Sequence, residues 1–194
     1  MKVRKKEEKI YLAGDLLKKG SIILREQEAK ELRLLGYDIY SPTEDKSIND
    51  KQNQTVESNN SLAEKIVKND TNGIIESDII IIEPHENALG TMVELGQLKG
   101  MKDAFMLITD WLMEHDDVSG DLFLQYMEEF FPKFRKKVYT HVEDIRRTDI
   151  PEVGDRRSWG INQYVYGACL DLTNGKGLYD WEEIIEELKE RKIK

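Results

Sequence analysis

The residue with the clearest capacity for chemistry is Glu94, within Gly90-Thr91-Met92-Val93-Glu94-Leu95-Gly96. A helix starting here places Glu94 in its first turn, facing the crevice ahead of it. The partial positive charge at a helix start favours an ionised carboxylate, and an ionised carboxylate is what a nucleophile must offer near neutral pH. The same spacing has a second reading. Thr91-x-x-Glu94 is the pattern of a capping box, in which both side chains satisfy free backbone donors. The residues alone leave both readings open.

Other candidates are weaker. Gly14 ends an apolar run, where a glycine lets a ligand approach the backbone closely, and Asp15 follows it. Asp70 precedes Thr71-Asn72-Gly73, a pattern that reads as a helix irregularity. Asp78 reads as a strand-opening residue that orders a turn, and His85 as an exposed loop histidine. No P-loop and no GxGxxG follows a strand, and His85, His115 and His141 are too scattered for a zinc site. The expectation is an enzyme with neither metal nor cofactor.

Stepping outward, the elements that must hold these residues alternate between strand and helix. Lys9–Gly14 reads as a buried strand, 22–35 as a helix stopped by Gly36, and Tyr37–Tyr40 as a second strand. The polar stretch 43–60 reads as a long loop. Ser61 is placed to cap a helix that carries Leu62, Ile66, Ile74 and Ile75 inward and is interrupted near Asn72-Gly73. Four consecutive isoleucines, Ile79 to Ile82, imply a strand buried on both faces, as in a parallel sheet. The helix 91–101 and a fourth strand, Ala104–Ile108, complete the alternation, which defines an α/β domain. Beyond it the pattern predicts a helix over 122–134, a strand over 138–142, a loop over 148–154, and helices over 161–172 and 181–192. Ligands of open parallel sheets bind beyond the carboxyl ends of the strands, here Gly14-Asp15, Pro42, the 84–90 loop and Thr109-Asp110.

The chain has 194 residues, enough for one domain with a sizeable core. Its net charge of -9 disfavours a sequence-independent grip on nucleic acid. A single cysteine, Cys169, permits no internal disulfide and fits a reducing compartment. No signal-like or membrane-spanning run is visible, so the expected setting is the cytoplasm.

Four segments in order resemble the nucleoside 2-deoxyribosyltransferase family: Ile10 to Gly14, Lys68 to Ile74, Ile75 to Ile81, and Gly90 to Gly96. The resemblance spans about residues 9–108. It implies a single-domain Rossmann/flavodoxin-like three-layer sandwich over 1–194, with a central parallel sheet and an α-rich elaboration over about 110–194. It also implies a double displacement. Glu94 would attack the anomeric carbon of a 2′-deoxynucleoside, and a second nucleobase would take the sugar from the resulting ester. Asp70 would contact the base or assist its protonation. Tyr11 and Gly14 would line the sugar pocket, with Tyr11 holding Glu94, and Asp15, Gly90 and Thr91 would be further substrate-binding residues.

One family feature is missing. An Asp commonly stands six residues before the nucleophile, and here that place is Ala88. Glu86, Asn87 and Asp15 are the candidate replacements. In the family a neighbouring subunit completes the site with an asparagine, and Asn162 would take that part in a homo-oligomer; it reads equally as a helix cap. Two alternatives share the same residues. One is hydrolysis of a deoxynucleoside or its 5′-monophosphate, with Gly14, Ser21, Thr91 and Arg25 near the phosphate. The other is a nucleotide-binding protein without turnover.

Overall fold

A computed structural model describes residues 8–50, 52–115, 119–144 and 160–193. Four strands form one sheet: β1 (Lys9–Ala13), β2 (Asp38–Tyr40), β3 (Ile79–Ile82) and β4 (Lys137–Thr140). Their order is β2-β1-β3-β4 and every pairing is parallel. The isoleucines of β3 are all fully buried, as a central strand covered on both faces requires.

Alternation along the strands sends side chains to two cores. Tyr11, Ala13, Ile80, Ile82 and Val138 pack on one face with Ile74 of α4 (Leu62–Glu76), Leu95 and Leu98 of α5 (Leu89–Glu114), and Tyr166 and Cys169 of α7 (Gln163–Leu172). Ile10, Leu12, Ile79, Ile81 and Tyr139 pack on the other with Ala29 and Leu32 of α1 (Lys19–Leu34) and Ile184 and Leu188 of α8 (Trp181–Ile193). The result is the expected three-layer α/β sandwich.

The fourth strand is not where the pattern put it. Residues 104–108 lie inside α5, and β4 takes the sheet edge instead. Length and apolarity do not separate a short strand from a helical turn, and neither Gly nor Pro breaks the chain between Met101 and Ile108. Burial shows the difference: Phe105 is buried, whereas Leu107 is 70 % exposed. A strand inserted between two layers would hide both. The strand expected at 138–142 is β4, so the sheet is completed by chain well beyond residue 108.

Other expectations shift locally. The 43–60 stretch contains two single-turn helices, α2 (Lys46–Asn49) and α3 (Val56–Asn59). Ser61 has a left-handed backbone and makes no capping bond. α4 runs unbroken through Asn72-Gly73, and Ile75 points to solvent rather than inward. α6 (Gly120–Phe134) spans the helix expected over 122–134. The loop expected over 148–154 lies outside the described residues.

Candidate active site

Glu94 is not a cap. α5 starts at Leu89, so Glu94 stands in its second turn, where the helix-end charge has largely faded. No side-chain bond caps the helix start at Ala88, and the Thr91–Glu94 box does not form. Glu94 instead meets β1: the Tyr11 hydroxyl donates to its Oε1 at 2.6 Å. Burial pushes the Glu94 carboxyl up to about 7, against the Tyr11 hydrogen bond that lowers it, and nearby Asp70 raises it further. The expectation of a carboxylate held ionised by the helix start is therefore corrected. Glu94 is poised near neutrality, and Tyr11 is what favours its anion. The Tyr11 hydroxyl, buried and facing this acid, is driven well above the ordinary tyrosine range.

A second tyrosine–carboxylate pair lies beside the first. The Tyr11 and Tyr40 rings stack with centroids 5.4 Å apart. The Tyr40 hydroxyl lies 3.3 Å from Asp70 Oδ1 and 3.2 Å from Asp45 Oδ2. Burial pushes Asp70 up to about 6, Tyr40 lowers it, and Asp45 raises it. Glu94 and Asp70 are both half-buried, and neither has an ion-pair partner among the described residues.

The backbone explains how α4 comes so close. A Cβ on Gly73 would lie 2.8 Å from the Tyr40 ring and 2.9 Å from the Tyr11 ring. Only glycine lets this helix seat Asp70 against the stacked tyrosines. The Asn72-Gly73 pair that reads as a helix defect is thus a contact surface. One turn along, Gln97 of α5 donates to the Thr71 hydroxyl at 3.2 Å, tying the two acid-bearing helices together.

The remaining candidates fall around this pair in different ways. Gly90 is exposed with open space beside it, and Thr91 is buried. The room left by Gly14's missing side chain is filled by Arg25, whose Nη1 would lie 2.7 Å from a Cβ there. Asp15 is buried and accepts from the Leu17 amide at 2.9 Å and the Ser21 hydroxyl at 3.0 Å, so it shapes the β1–α1 turn. Asn162 caps α7, accepting from the Tyr164 and Val165 amides. It borders a cavity of about 130 Å³ with His85, Glu86 and Met92, whose lining includes neither Tyr11 nor Glu94.

Arg25 is not free for a phosphate. It is fully buried, bound to Glu28 at 2.8 Å and Glu83 at 3.1 Å, and donates to the Ala13 carbonyl. Sequence reasoning missed Tyr40, Asp45 and Gly73. Tyr40 was visible as the last residue of a strand, at the end where ligands bind.

The chain belongs to the nucleoside 2-deoxyribosyltransferase family, a family of enzymes, whose model matches residues 10–147. Among curated proteins none matches it. A conserved protein from Enterococcus faecalis V583 has a similar fold, with a TM-score of 0.56 and 18% identity, covering 95% of this chain and 99% of that one. A 2-deoxyribosyltransferase from the psychrotolerant bacterium Bacillus psychrosaccharolyticus superposes with a TM-score of 0.47 at 16% identity, covering 91% and 90% of the two chains. No helix among the described residues is long and apolar enough to cross a membrane.

Proposed function

We propose that this chain exchanges nucleobases on 2′-deoxynucleosides, with Glu94 as nucleophile and Asp70 as the acid that serves the base. The observation that carries the reading is the Tyr11–Glu94 pair. It is a half-buried carboxylate with, among the described residues, a single strong donor and no paired cation, next to a second carboxyl of different acidity. With Glu94 at about 7 and Asp70 at about 6, the coupled pair holds about one proton between those pH values, and the reactive form is the one that carries it on Asp70 with Glu94 ionised against the Tyr11 hydroxyl.

In the first step the Glu94 carboxylate attacks C1′ and the C1′–N bond breaks. The departing base keeps the bonding pair and takes a proton from Asp70. In the second step an incoming base attacks C1′, the ester C–O bond breaks, Glu94 regains its charge, and the incoming base returns a proton to Asp70. The transition states carry oxocarbenium character, as in retaining glycosidases. Tyr11 O–H steadies the Glu94 anion before attack and after release.

Water as the final acceptor is the second reading. It is favoured by Ala88, a buried alanine where a sugar- or base-handling acid would help exclude water. Its monophosphate form loses support, because Arg25 is neutralised by Glu28 and Glu83. Leu107, Trp111, Met113, Leu122 and Leu124 of α5 and α6 are more than half exposed, a surface suited to a second copy of the chain. Such a copy could bring Asn162 to a neighbour's site. The free, buried Cys169 suits a cytoplasmic setting.

The test is incubation with a deoxynucleoside and a different free base, followed by chromatography. A new deoxynucleoside supports exchange. Free deoxyribose alone, at every base concentration, would replace exchange by hydrolysis.

A further inference from the structure

We propose that Tyr40 is a proton-positioning residue whose single O–H turns between Asp45 and Asp70, so that Asp70 can give up a proton to the base and be stabilised once it has done so. The proposal rests on Asp70 serving the base, as above. Its geometry is independent of that reading. Tyr40 has one proton and two carboxylates at nearly equal distance, Asp45 Oδ2 at 3.2 Å and Asp70 Oδ1 at 3.3 Å.

The two acceptors are not alike. Asp45 caps α2 and also accepts from the Ser47 amide, the Ser47 hydroxyl and Asn69 Nδ2. These donors outweigh its partial burial and hold it below the usual carboxylate range. Asp45 therefore stays charged and can take the Tyr40 proton whenever Asp70 is neutral. Among the described residues, Asp70 has Tyr40 as its one hydrogen-bond donor. When Asp70 ionises, rotation about the Tyr40 C–O bond brings the O–H across, with no heavy atom moving. Tyr40 is fixed for this by its stack on Tyr11 and by Gly73 beneath both rings.

The charged and titratable groups around Asp70 come from every packed element. They are Asp45 before α2, Glu94 on α5, Tyr11 on β1, and Tyr40 on β2 with the Lys9 ammonium 5.8 Å from its ring centre. Asp45 raises Asp70 in two ways: its charge disfavours a second anion beside it, and it competes for the Tyr40 proton that would stabilise that anion.

Two variants therefore move Asp70 in opposite directions. In Tyr40→Phe the stabilising O–H is gone, and Asp70 should titrate about one pH unit higher, a tenfold change in its protonation equilibrium. In Asp45→Asn the competing charge is gone while the amide oxygen still caps α2, so Asp70 should titrate below its wild-type value. The readout is the ¹³C carboxyl shift of Asp70 against pH in the full-length protein, which needs no turnover. Folding of each variant is checked by circular dichroism. Opposite shifts support the proposal. Shifts of the same sign, or none in Tyr40→Phe, overturn it. The exchange assay separates the two ideas: an inactive wild type with opposite shifts sinks the catalytic reading and leaves the Tyr40 switch intact. In an active enzyme, the limb of the kcat profile near pH 6 should follow the same two displacements.

Discussion

Two clusters of acids are buried against this sheet, and they are built differently. In one, Arg25 sits between Glu28 and Glu83 at the ends of β1 and β3, with His141 next to β4; all four are nearly or fully sealed from solvent. In the other, Glu94 and Asp70 lean on tyrosine hydroxyls, have no paired cation among the described residues, and keep part of their surface open. The first sets Arg25 against both Glu28 and Glu83 and ties strand ends together, while burial still pushes Glu28 up to about 8. Glu83 Oε1 also accepts from the Glu143 amide at 3.1 Å, fastening the segment after β4. The second leaves its acids near their titration points and partly exposed. Burial of carboxylates therefore does not by itself mark a site. What distinguishes one is the absence of a resident cation together with an opening.

That contrast can be broken by substitution. The largest effect should come from Glu94→Gln, which keeps the shape and removes the nucleophile: base exchange should fall on the order of 10⁴-fold or more, measured as steady-state turnover. A residual rate within tenfold of wild type would remove Glu94 from the mechanism. Asp70→Asn should cost about 10²–10⁴-fold, the usual range for general acid–base help. The loss should be smallest for substrates whose base departs readily without a proton.

Arg25→Met addresses the sealed cluster. It strands Glu28 and Glu83, and removing one partner of a buried ion pair typically costs about 3–5 kcal/mol. Urea unfolding should show that loss, while the kcat of the protein that remains folded changes little. A large drop in kcat with stability intact would mean the division between the clusters is drawn in the wrong place.

The smallest effect concerns stability and pH. Glu94 and Asp70 are raised in the folded protein, to about 7 and about 6, above their ordinary 4.5 and 3.8. Their folded neutral forms are favoured, so their contribution is fully present below pH 4 and is lost as pH rises through 6 and 7. The thermal midpoint of Glu94→Gln should therefore exceed that of wild type at pH 8 and converge with it near pH 4. The opposite ordering would mean the anion is the form the fold prefers. Activity should be bell-shaped with its maximum between about 6 and about 7, the two limbs belonging to the coupled pair.

The sequence exposed the architecture well because a run of isoleucines and the alternation around it leave few other folds. It failed at Ala104–Ile108, where local apolarity is the same in a strand and in a half-exposed helix, and only the edge pairing of β4 decides. The Glu94 position was legible, but its surroundings were not. Tyr11 approaches from 83 residues away, and the helix start that was to keep Glu94 charged lies more than a turn away. Gly73 looked like a flaw because its role is long-range: its missing side chain makes room on α4 for the Tyr11 and Tyr40 rings of β1 and β2. Asp45 lay in a stretch read only as loop, where nothing local links it to Tyr40 and Asp70.

The central claim is that Glu94 forms a bond to the sugar. The direct measurement is mass spectrometry of the full-length protein after incubation with a 2′-fluoro-2′-deoxynucleoside, whose electron-poor sugar slows breakdown of a glycosyl ester. The expected result is an added fluorodeoxyribosyl mass confined to the peptide that contains Glu94 and absent in Glu94→Gln. Base released from the same compound with no adduct at any time, or an adduct on another residue, would contradict it.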